Sequence, residues 1–212
     1  MKVLLFGATG NIGRAIAAEL AARGHEVTGV TRSAGVGTGS AVPLVAGDVA
    51  DAEQVAELAQ GHDVVASAVG PRIGADDDRT IILGAADGLI GGLRKAGLRR
   101  LVVLGGAGSL RAADGTRVVD DPHFPELWKA NALAQIEALD RYRAADDLDW
   151  TYISPAKLIE PGERTGVYRL SGDDLLVDAE GRTRISIPDY AVAFADQIEG
   201  GQALRTRVSV AY

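Results

Sequence analysis

Three glycines spaced three residues apart follow the first apolar run of the chain and constrain its fold more than any other feature. The run Val3-Leu4-Leu5-Phe6 leads into Gly7-Ala8-Thr9-Gly10-Asn11-Ile12-Gly13, after which a helical pattern begins. In a dinucleotide-binding fold, the first glycine permits a tight turn, the second lets backbone approach a pyrophosphate, and the third lets the helix pack against the strand. The helix N-terminus then offers unpaired N–H groups to the phosphate charge. An ordinary glycine turn is the alternative, but the strand–turn–helix context favours a nucleotide site over residues 7–13.

Apolar runs alternate with helical patterns as far as Pro155, which is typical of a parallel sheet covered by helices on both faces. We predict strands at Lys2–Phe6, Glu26–Thr31, Val42–Ala46, Asp63–Ser67, Arg99–Leu104 and Trp150–Ser154. Helices are predicted at Asn11–Arg23, Asp51–Gln60, Arg79–Ala96 and Pro125–Ala145. The predicted fold class is α/β, a doubly wound parallel sheet of the Rossmann type with a small C-terminal substrate lobe.

The pattern changes after Pro155, where a shorter C-terminal segment begins. Val167–Leu170 and Leu175–Val177 flank a polar turn, which predicts a β-hairpin. A helix from about Pro188 and a last strand near Arg205–Val210 follow. Since this segment is too short for an independent domain, we predict one NAD(P)-binding domain over residues 1–212. Residues 1–155 form its dinucleotide-binding core and residues 156–212 its small substrate lobe.

The end of the second predicted strand indicates which dinucleotide binds. NAD enzymes usually place an acidic residue there to hold the ribose hydroxyls, and its charge would repel a 2′-phosphate. This chain has Thr31-Arg32-Ser33 instead. Arg32 can pair with a 2′-phosphate and stack on adenine, and the two hydroxyls can donate to the same group. An exposed surface arginine is the alternative; we predict that NADP(H) is preferred over NAD(H).

Small residues follow later predicted strands and leave room for a ligand at the carboxyl edge of the sheet, where open α/β sheets bind their ligands. Asp48 is a candidate acceptor for the adenine amino group, with a helix-capping role as an equally weighted alternative. The other candidate cofactor residues at this edge are Val49, Ala68, Val69, Gly70, Gly105, Gly106 and Pro155.

Composition excludes several chemistries and partners. The chain has no cysteine, and 22 Lys+Arg stand against 29 Asp+Glu for a net charge of −7. Without cysteine there is no disulfide, thiolate nucleophile or Cys-ligated metal, and a reducing cytoplasm is expected. The apolar runs are too short for a signal peptide or a membrane span, and the acidic balance argues against a nucleic-acid partner. We predict no metal, no nucleic acid and no membrane partner; monomer and homodimer both stay open.

Several motifs together resemble one known family. They are the glycine loop, Thr31-Arg32, Gly47-Asp48, Ser154-Pro155-Ala156, Thr165-Gly166-Val167-Tyr168 and Arg184-Ile185-Ser186-Ile187-Pro188-Asp189-Tyr190-Ala191. The chain resembles, from end to end, the atypical short-chain dehydrogenase/reductases, in particular the NAD(P)H-binding group near the NmrA-like proteins and the flavin/biliverdin reductase B type. The resemblance implies a Rossmann fold and a nicotinamide cofactor. The family includes flavin and quinone reductases, and redox sensors that do not turn over.

The catalytic pair of typical short-chain dehydrogenases is missing. Their Tyr-x-x-x-Lys uses a tyrosine whose pKa is lowered by a lysine one helical turn further on. Four residues after the first four tyrosines of this chain stand Asp146, Ala156, Gly172 and Phe194, and Tyr212 is the last residue. Flavins and quinones take a hydride without such a pair, so binding and orientation can suffice. We therefore predict an NADPH-dependent reductase for a planar acceptor such as FMN, FAD or a quinone, with a non-catalytic NADP(H)-binding sensor as the alternative.

Five residues are candidates for contact with the acceptor. The Ser109 hydroxyl can donate to a flavin or quinone oxygen, although a loop hydroxyl bonded to its own backbone is as plausible. Lys129 lies in the first turns of its predicted helix, where the dipole does not favour a cation, which points to a ligand or carboxylate partner, with an ordinary exposed lysine as the equally weighted alternative. Phe124, Trp128 and Tyr168 are candidates for an aromatic wall, with core packing as the alternative.

The acidic run Asp76-Asp77-Asp78 precedes a predicted helix. Three adjacent carboxylates cannot all face one ion from a regular element, and their place suits capping and stabilisation of the helix N-terminus. We interpret the run as structural rather than as a metal site.

Overall fold

The computed structural model describes residues 1–32, 39–70 and 77–212. Its strands are β1 Lys2–Phe6, β2 Glu26–Thr31, β3 Leu44–Ala46, β4 Val64–Ser67, β5 Arg100–Leu104, β6 Asp149–Pro155, β7 Leu158–Glu160, β8 Arg169–Ser171, β9 Arg184–Ser186 and β10 Thr206–Ala211. Its helices are α1 Asn11–Ala22, α2 Ala52–Ala59, α3 Asp78–Ala96, α4 Glu126–Ala144 and α5 Ile187–Gly200, with a 3-10 turn at Val118–Asp120.

Within the described residues, eight strands form one sheet in the order β3-β2-β1-β4-β5-β6-β10-β8. The first seven of these run parallel, and β8 pairs antiparallel with β10. The chain starts in the middle of the sheet and winds outward to β3 on one side and to β6 on the other. The prediction of a doubly wound parallel sheet is confirmed.

Two helical layers cover the sheet, and alternate residues of each strand supply their cores. Val3 and Leu5 of β1 pack with α1 and α5, whereas Leu4 and Phe6 pack with α2, α3 and α4. All four side chains are at most 1% exposed. This burial on both faces explains why the strands read as continuous apolar runs rather than as alternating patterns.

The predicted hairpin after Pro155 is wrong. Arg169–Ser171 forms β8, but its partner is β10, with Leu170 opposite Val210. The Leu175 N–H donates instead to the carbonyl of Arg111 at 2.8 Å, which joins this segment to the loop after β5. A polar turn between two apolar runs indicates a reversal of the chain, but it does not reveal that each run pairs with a distant segment.

The C-terminal segment contributes to the sheet itself as well as to its edge. β10 extends the parallel sheet beside β6, and α5 packs on α1. β7 and β9, which were not predicted, form a separate parallel pair in which Ile159 lies opposite Ile185. Ser186 at the end of β9 caps α5 by accepting from the Asp189 N–H at 3.1 Å. The division into a core and a substrate lobe stays a prediction about role.

Candidate functional site

The carboxyl ends of six parallel strands meet at one edge of the sheet and bring the predicted cofactor residues together. The edge carries Gly7 after β1, Arg32 after β2, Asp48 after β3, Ala68 after β4, Gly105 after β5, and Pro155, which ends β6. The strand order reverses between β1 and β4, which pair with each other while their following helices lie on opposite faces. Ligands of open α/β sheets bind at this switch point.

The glycine loop between β1 and α1 has little room for side chains at its first and third glycines. Gly7 has φ +78°, and a Cβ there would lie 2.7 Å from the carbonyl oxygen of Ala68. A Cβ on Gly13 would lie 2.0 Å from the carbonyl oxygen of Gly7. Both glycines are therefore required by the packing of α1 against the ends of β1 and β4.

Gly10 differs, because the space beside it is open. A Cβ there would have the Gly7 carbonyl oxygen at 3.5 Å as its nearest neighbour, and its φ of −71° suits any residue. Gly10 is the N-cap of α1, no side chain caps this helix, and its first turn carries no acidic residue. The N–H groups of Asn11, Ile12 and Gly13 thus form the positive end of the helix dipole and have no hydrogen-bond partner among the described residues. This cradle fits a dinucleotide pyrophosphate, with Ala8 buried behind it and Thr9 half-buried beside it.

The end of β2 lies next to this cradle. The Gly7 N–H donates to the carbonyl of Val30 at 3.2 Å, so Thr31 and Arg32 follow directly alongside the glycine loop. Thr31 is half-buried and Arg32 is exposed. Ser33, the third residue predicted to hold a 2′-phosphate, lies outside the described residues. Arg32 lies at the end of β2 beside the glycine loop, which is the position that binding of a 2′-phosphate requires. The contact with the phosphate itself stays a prediction.

Asp48 has a local structural role. Its Oδ1 accepts from the Ala50 N–H at 2.9 Å, and its own N–H donates to Gln54 at 3.1 Å. The cap of α2 is Asp51, which accepts from the N–H groups of Glu53 and Gln54. Asp48 therefore shapes the turn that leads into the cap, and the contact with adenine stays a prediction. Val49, beside it, is half-buried against α3.

After β5 the backbone is held by two side chains of β6. A Cβ on Gly105 would lie 2.0 Å from the ring of Tyr152. The Gly106 N–H donates to the Tyr152 hydroxyl at 3.1 Å, and the Ser154 hydroxyl donates to the Gly106 carbonyl at 2.8 Å. Gly105 is needed because a larger residue would displace the tyrosine ring, whereas a Cβ on Gly106 would lie 3.0 Å from the Gln135 side chain.

Tyr152 was not among the predicted site residues. Its hydroxyl donates to Gln135 of α4, with the side-chain oxygen at 2.8 Å, and burial raises the pKa of the phenol. Typical catalytic tyrosines have a lowered pKa, so Tyr152 is a protonated structural phenol. One sequence signal could have found Tyr152: two glycines follow the fifth strand, and the neighbouring apolar strand contains a single tyrosine.

Ser109 is engaged by a buried arginine rather than by its own backbone. Arg207 of β10 donates to the Ser109 hydroxyl at 2.6 Å and also pairs with Asp173. The Arg207 side chain is only 3% exposed. The alternative of a hydroxyl bonded to its own backbone is therefore replaced by a contact that anchors the loop after β5, and contact with an acceptor stays a prediction.

The start of α4 carries the remaining acceptor candidates. Lys129 is half-exposed, and its Nζ lies 3.7 Å from Oε2 of the exposed Glu126 one turn earlier. Contact between Lys129 and an acceptor stays a prediction. Trp128 is 41% exposed, and Phe124 lies just before the helix, half-buried. An exposed tryptophan at this edge is available to a planar ligand.

The structure does not place Tyr168 with the other two aromatic residues. Its ring packs with the α1–α5 layer, and its hydroxyl donates to Asp196 of α5. Burial and this carboxylate raise the pKa of the phenol. Phe124 and Trp128 belong to the opposite layer, so the predicted wall of three rings does not form.

The acidic run before α3 does not cap that helix as predicted. Asp77 occupies the N-cap position, but its side chain makes no capping hydrogen bond. Asp78 is the first helical residue and is 4% exposed. Asp76 lies outside the described residues. Within the described ranges, no group of three or more acidic or histidine side chains is placed to hold a metal ion.

The fold and the glycine cradle define a dinucleotide-binding protein of the Rossmann type. The model of the NAD(P)H-binding family matches residues 7–198. The chain belongs to this family, which confirms the family resemblance seen in its motifs.

Three relatives are similar over their whole length. The uncharacterized protein YwnB of Bacillus subtilis (strain 168) is 37% identical over 213 residues, which are 99% of this chain and 98% of that protein. A structure from Burkholderia pseudomallei, provisionally named an exported protein, is 46% identical with a TM-score of 0.91 and covers 100% of both chains. A structure from Streptococcus pneumoniae TIGR4, provisionally named an NADH-flavin reductase, is 34% identical with a TM-score of 0.89, covering 100% of this chain and 99% of that one. Among the helices described for this chain, none is long and apolar enough to cross a membrane.

Proposed function

We propose that the protein is an NADPH-dependent reductase that delivers a hydride to a planar acceptor such as a flavin or a quinone. Two observations together carry this proposal. The edge formed by the carboxyl ends of the strands has an uncapped glycine cradle, and the sequence has no Tyr-x-x-x-Lys pair. The cradle supplies phosphate binding, and the phenol nearest Gly106 is buried and hydrogen-bonded to Gln135. An acceptor that takes hydride readily does not require the Tyr–Lys pair of typical short-chain dehydrogenases, because binding and orientation can suffice for the hydride transfer itself. The name of the S. pneumoniae relative is in keeping with this chemistry.

The residues that would hold the cofactor lie in order along the edge. The N–H groups of residues 11–13 would bind the pyrophosphate, Arg32 would bind the 2′-phosphate, and the backbone at Gly105–Gly106 would adjoin the nicotinamide. When bound, the nicotinamide supplies the hydride. Tyr152 and Ser154 hold this backbone in place through hydrogen bonds to the N–H and the carbonyl of Gly106.

The acceptor would lie between this backbone and the start of α4. Trp128 provides an exposed ring for stacking, and Lys129 a cation for a flavin phosphate or a reduced oxygen. Tyr168 would not contact the acceptor, because its hydroxyl is bound to Asp196 on the other face of the sheet.

A second candidate is a non-catalytic NADP(H)-binding sensor of the NmrA-like type. The observation in its favour is that both predicted catalytic side chains have protein partners: Ser109 with Arg207, and Lys129 with Glu126. Under either function we place the protein in the cytoplasm, since it has no cysteine.

The test separates cofactor preference from turnover. NADPH and NADH are titrated into the purified protein and into Arg32→Ala, and oxidation of each is followed with FMN, FAD and a panel of quinones. Arg32→Ala should weaken NADPH binding by roughly 10- to 100-fold and leave NADH nearly unchanged, because a charge-assisted contact is lost only with the 2′-phosphate. Equal losses for both cofactors would refute the role of Arg32. Tight NADPH binding without oxidation by any acceptor would favour the sensor.

A further inference from the structure

Asp78 is a buried carboxyl group that the cofactor site does not use. It is 4% exposed, and its Oδ1 has no hydrogen-bond partner among the described residues. An unpartnered carboxyl oxygen costs free energy when buried, so such groups concentrate at functional sites. Asp78 begins α3, which follows β4, and so lies at the edge of the sheet where the cofactor residues meet.

Helical periodicity places Asp78 at the mouth of the cleft between α3 and α4. Ile82 and Ala85, one and two turns further along α3, line this cleft with Gln135 of α4 and the end of β4 at Ser67. The cleft encloses about 10 Å³, which is no more than one water molecule can occupy. An acceptor must therefore lie over the mouth of the cleft and not within it.

The facing side of α4 presents polar groups at the same level. Trp128, Asn131 and Gln135 are spaced three and four residues apart, so they share one face of the helix. Asn131 faces Asp78, and Gln135 binds the Tyr152 hydroxyl that holds Gly106. The mouth of the cleft thus joins the exposed tryptophan, the carboxyl group and the backbone under the nicotinamide.

The surroundings of Asp78 favour its protonated form. Burial raises the pKa of Asp78 most, the neighbouring Asp77 carboxylate raises it further, and the nearby Asn131 side chain partly opposes the rise. Glu137, on the side of α4 that faces α3, is paired with Arg79 at 2.8 Å and not with Asp78. β4 and the carboxyl half of β5 are apolar except for Ser67.

We propose that Asp78 donates a proton to the reduced acceptor, which deepens the proposed reductase function and rests on it. The acceptor gains a hydride, which carries two electrons and one proton, and a quinone or flavin treated in this way becomes an anion. The O–H bond of the Asp78 carboxyl then breaks, and its proton passes to the anionic oxygen or nitrogen of the reduced acceptor. The Asp78 carboxylate regains a proton from water, so each cycle consumes one NADPH, one acceptor and one proton.

The first test reads the carboxyl group in the ligand-free protein. Side-chain carboxyl signals of ¹³C-labelled aspartates are followed by NMR across pH, and Asp78→Asn identifies the signal of Asp78. The Asp78 signal should titrate above the ordinary range of an aspartate. Titration within or below that range would overturn the proposal.

The second test measures turnover with NADPH and a quinone from acidic to alkaline pH. Asp78→Asn should lose about 100-fold in kcat at acidic pH and show little dependence on pH, because the donor is gone. Asp77→Asn is the matched control, since it removes the adjacent exposed carboxylate and leaves the proposed donor in place. It should keep the kcat of the parent protein at acidic pH and move the pH dependence toward lower pH, because the Asp77 charge helps to raise the pKa of Asp78. Asn is close in size to Asp and carries no buried charge, so the variant should fold, and its thermal unfolding checks this.

The outcomes are distinguishable. Parent-like kcat and pH profile in Asp78→Asn would overturn the role of Asp78 and leave the reductase function standing. Failure of the parent protein to oxidise NADPH with any acceptor would overturn both. A rate loss in Asp78→Asn that is equal at every pH would show a structural effect and would also count against proton donation.

Discussion

Replacing the second and third glycines of the α1 loop with alanine should separate cofactor binding from stability. A Cβ on Gly13 would lie 2.0 Å from the Gly7 carbonyl oxygen, where ordinary contacts begin at 3.4 Å. The two groups must therefore part by about 1.4 Å, and both are held by backbone packing. Gly13→Ala should cost about 3 kcal/mol in the free energy of unfolding, which lowers the melting temperature of a chain of this size by about 6 to 12 °C.

Gly10→Ala is the matched comparison in the same loop. The added methyl has 3.5 Å of clearance and a favourable φ, so the free energy of unfolding should change by less than about 1 kcal/mol. The methyl nevertheless occupies the approach of the pyrophosphate to the N–H groups of α1. NADPH binding should fall by about 100-fold, which corresponds to one or two lost charge-assisted hydrogen bonds, and Gly10→Val should abolish it.

The assay pairs thermal and denaturant unfolding of the ligand-free variants with NADPH titration. Gly10→Ala that binds NADPH as tightly as the parent protein would refute the assignment of the phosphate cradle. Gly13→Ala with an unchanged melting temperature would refute the packing argument, because nothing else in the loop can absorb the overlap.

Three further predictions concern other parts of the molecule. Arg164 and Arg23 bind Glu19 and hold its pKa at about 2, so the stability from this contact is present above the ordinary glutamate pKa and is lost as pH falls toward 2. Arg164→Ala should therefore cost at most about 1 kcal/mol at neutral pH and make the acid-unfolding midpoint less acidic, and an unchanged midpoint would contradict the pairing. Tyr152→Phe leaves the Gly106 N–H without its acceptor and should lower the free energy of unfolding by about 1 to 3 kcal/mol in denaturant titrations; no loss would show that water replaces the hydroxyl. Lys129→Ala should change kcat/KM for the acceptor with an unchanged Kd for NADPH, and identical kinetics would return Lys129 to an ordinary exposed residue.

Local signals in the sequence were sufficient for the core of the fold. β1 and β2 begin and end where predicted. β1 is buried on both faces and reads as an unbroken apolar run after Lys2, whereas β2 is marked by its buried Val27 and Val30 among polar and small residues. The glycines at positions 7 and 13 could also be predicted to have a structural role, since only glycine fits the close contacts they make. The tight glycine turn between β1 and α1 could therefore be predicted from the residues alone, and phosphate binding there stays a prediction.

Contacts between distant segments could not be predicted in the same way. β8 pairs with β10 rather than with its neighbour in the chain, and Ser109 is held by Arg207 from the last strand. The burial of Asp78 depends on α4 packing against α3. The sequence shows only a run of aspartates before a predicted helix, and this pattern indicates helix capping. Such residues depend on tertiary packing that overrides local preference.

The most direct test of the proposed reductase is a single-turnover reaction under anaerobic conditions. NADPH carrying deuterium at the transferred position is mixed with excess protein and FMN or a quinone, and the loss of nicotinamide absorbance is compared with that of ordinary NADPH. The reductase function predicts oxidation that depends on the acceptor, is slower with deuterium, and puts the transferred label on the acceptor or exchanges it from there into water. NADPH that stays bound and unoxidised with every acceptor would contradict the reductase function and leave the protein a nucleotide sensor.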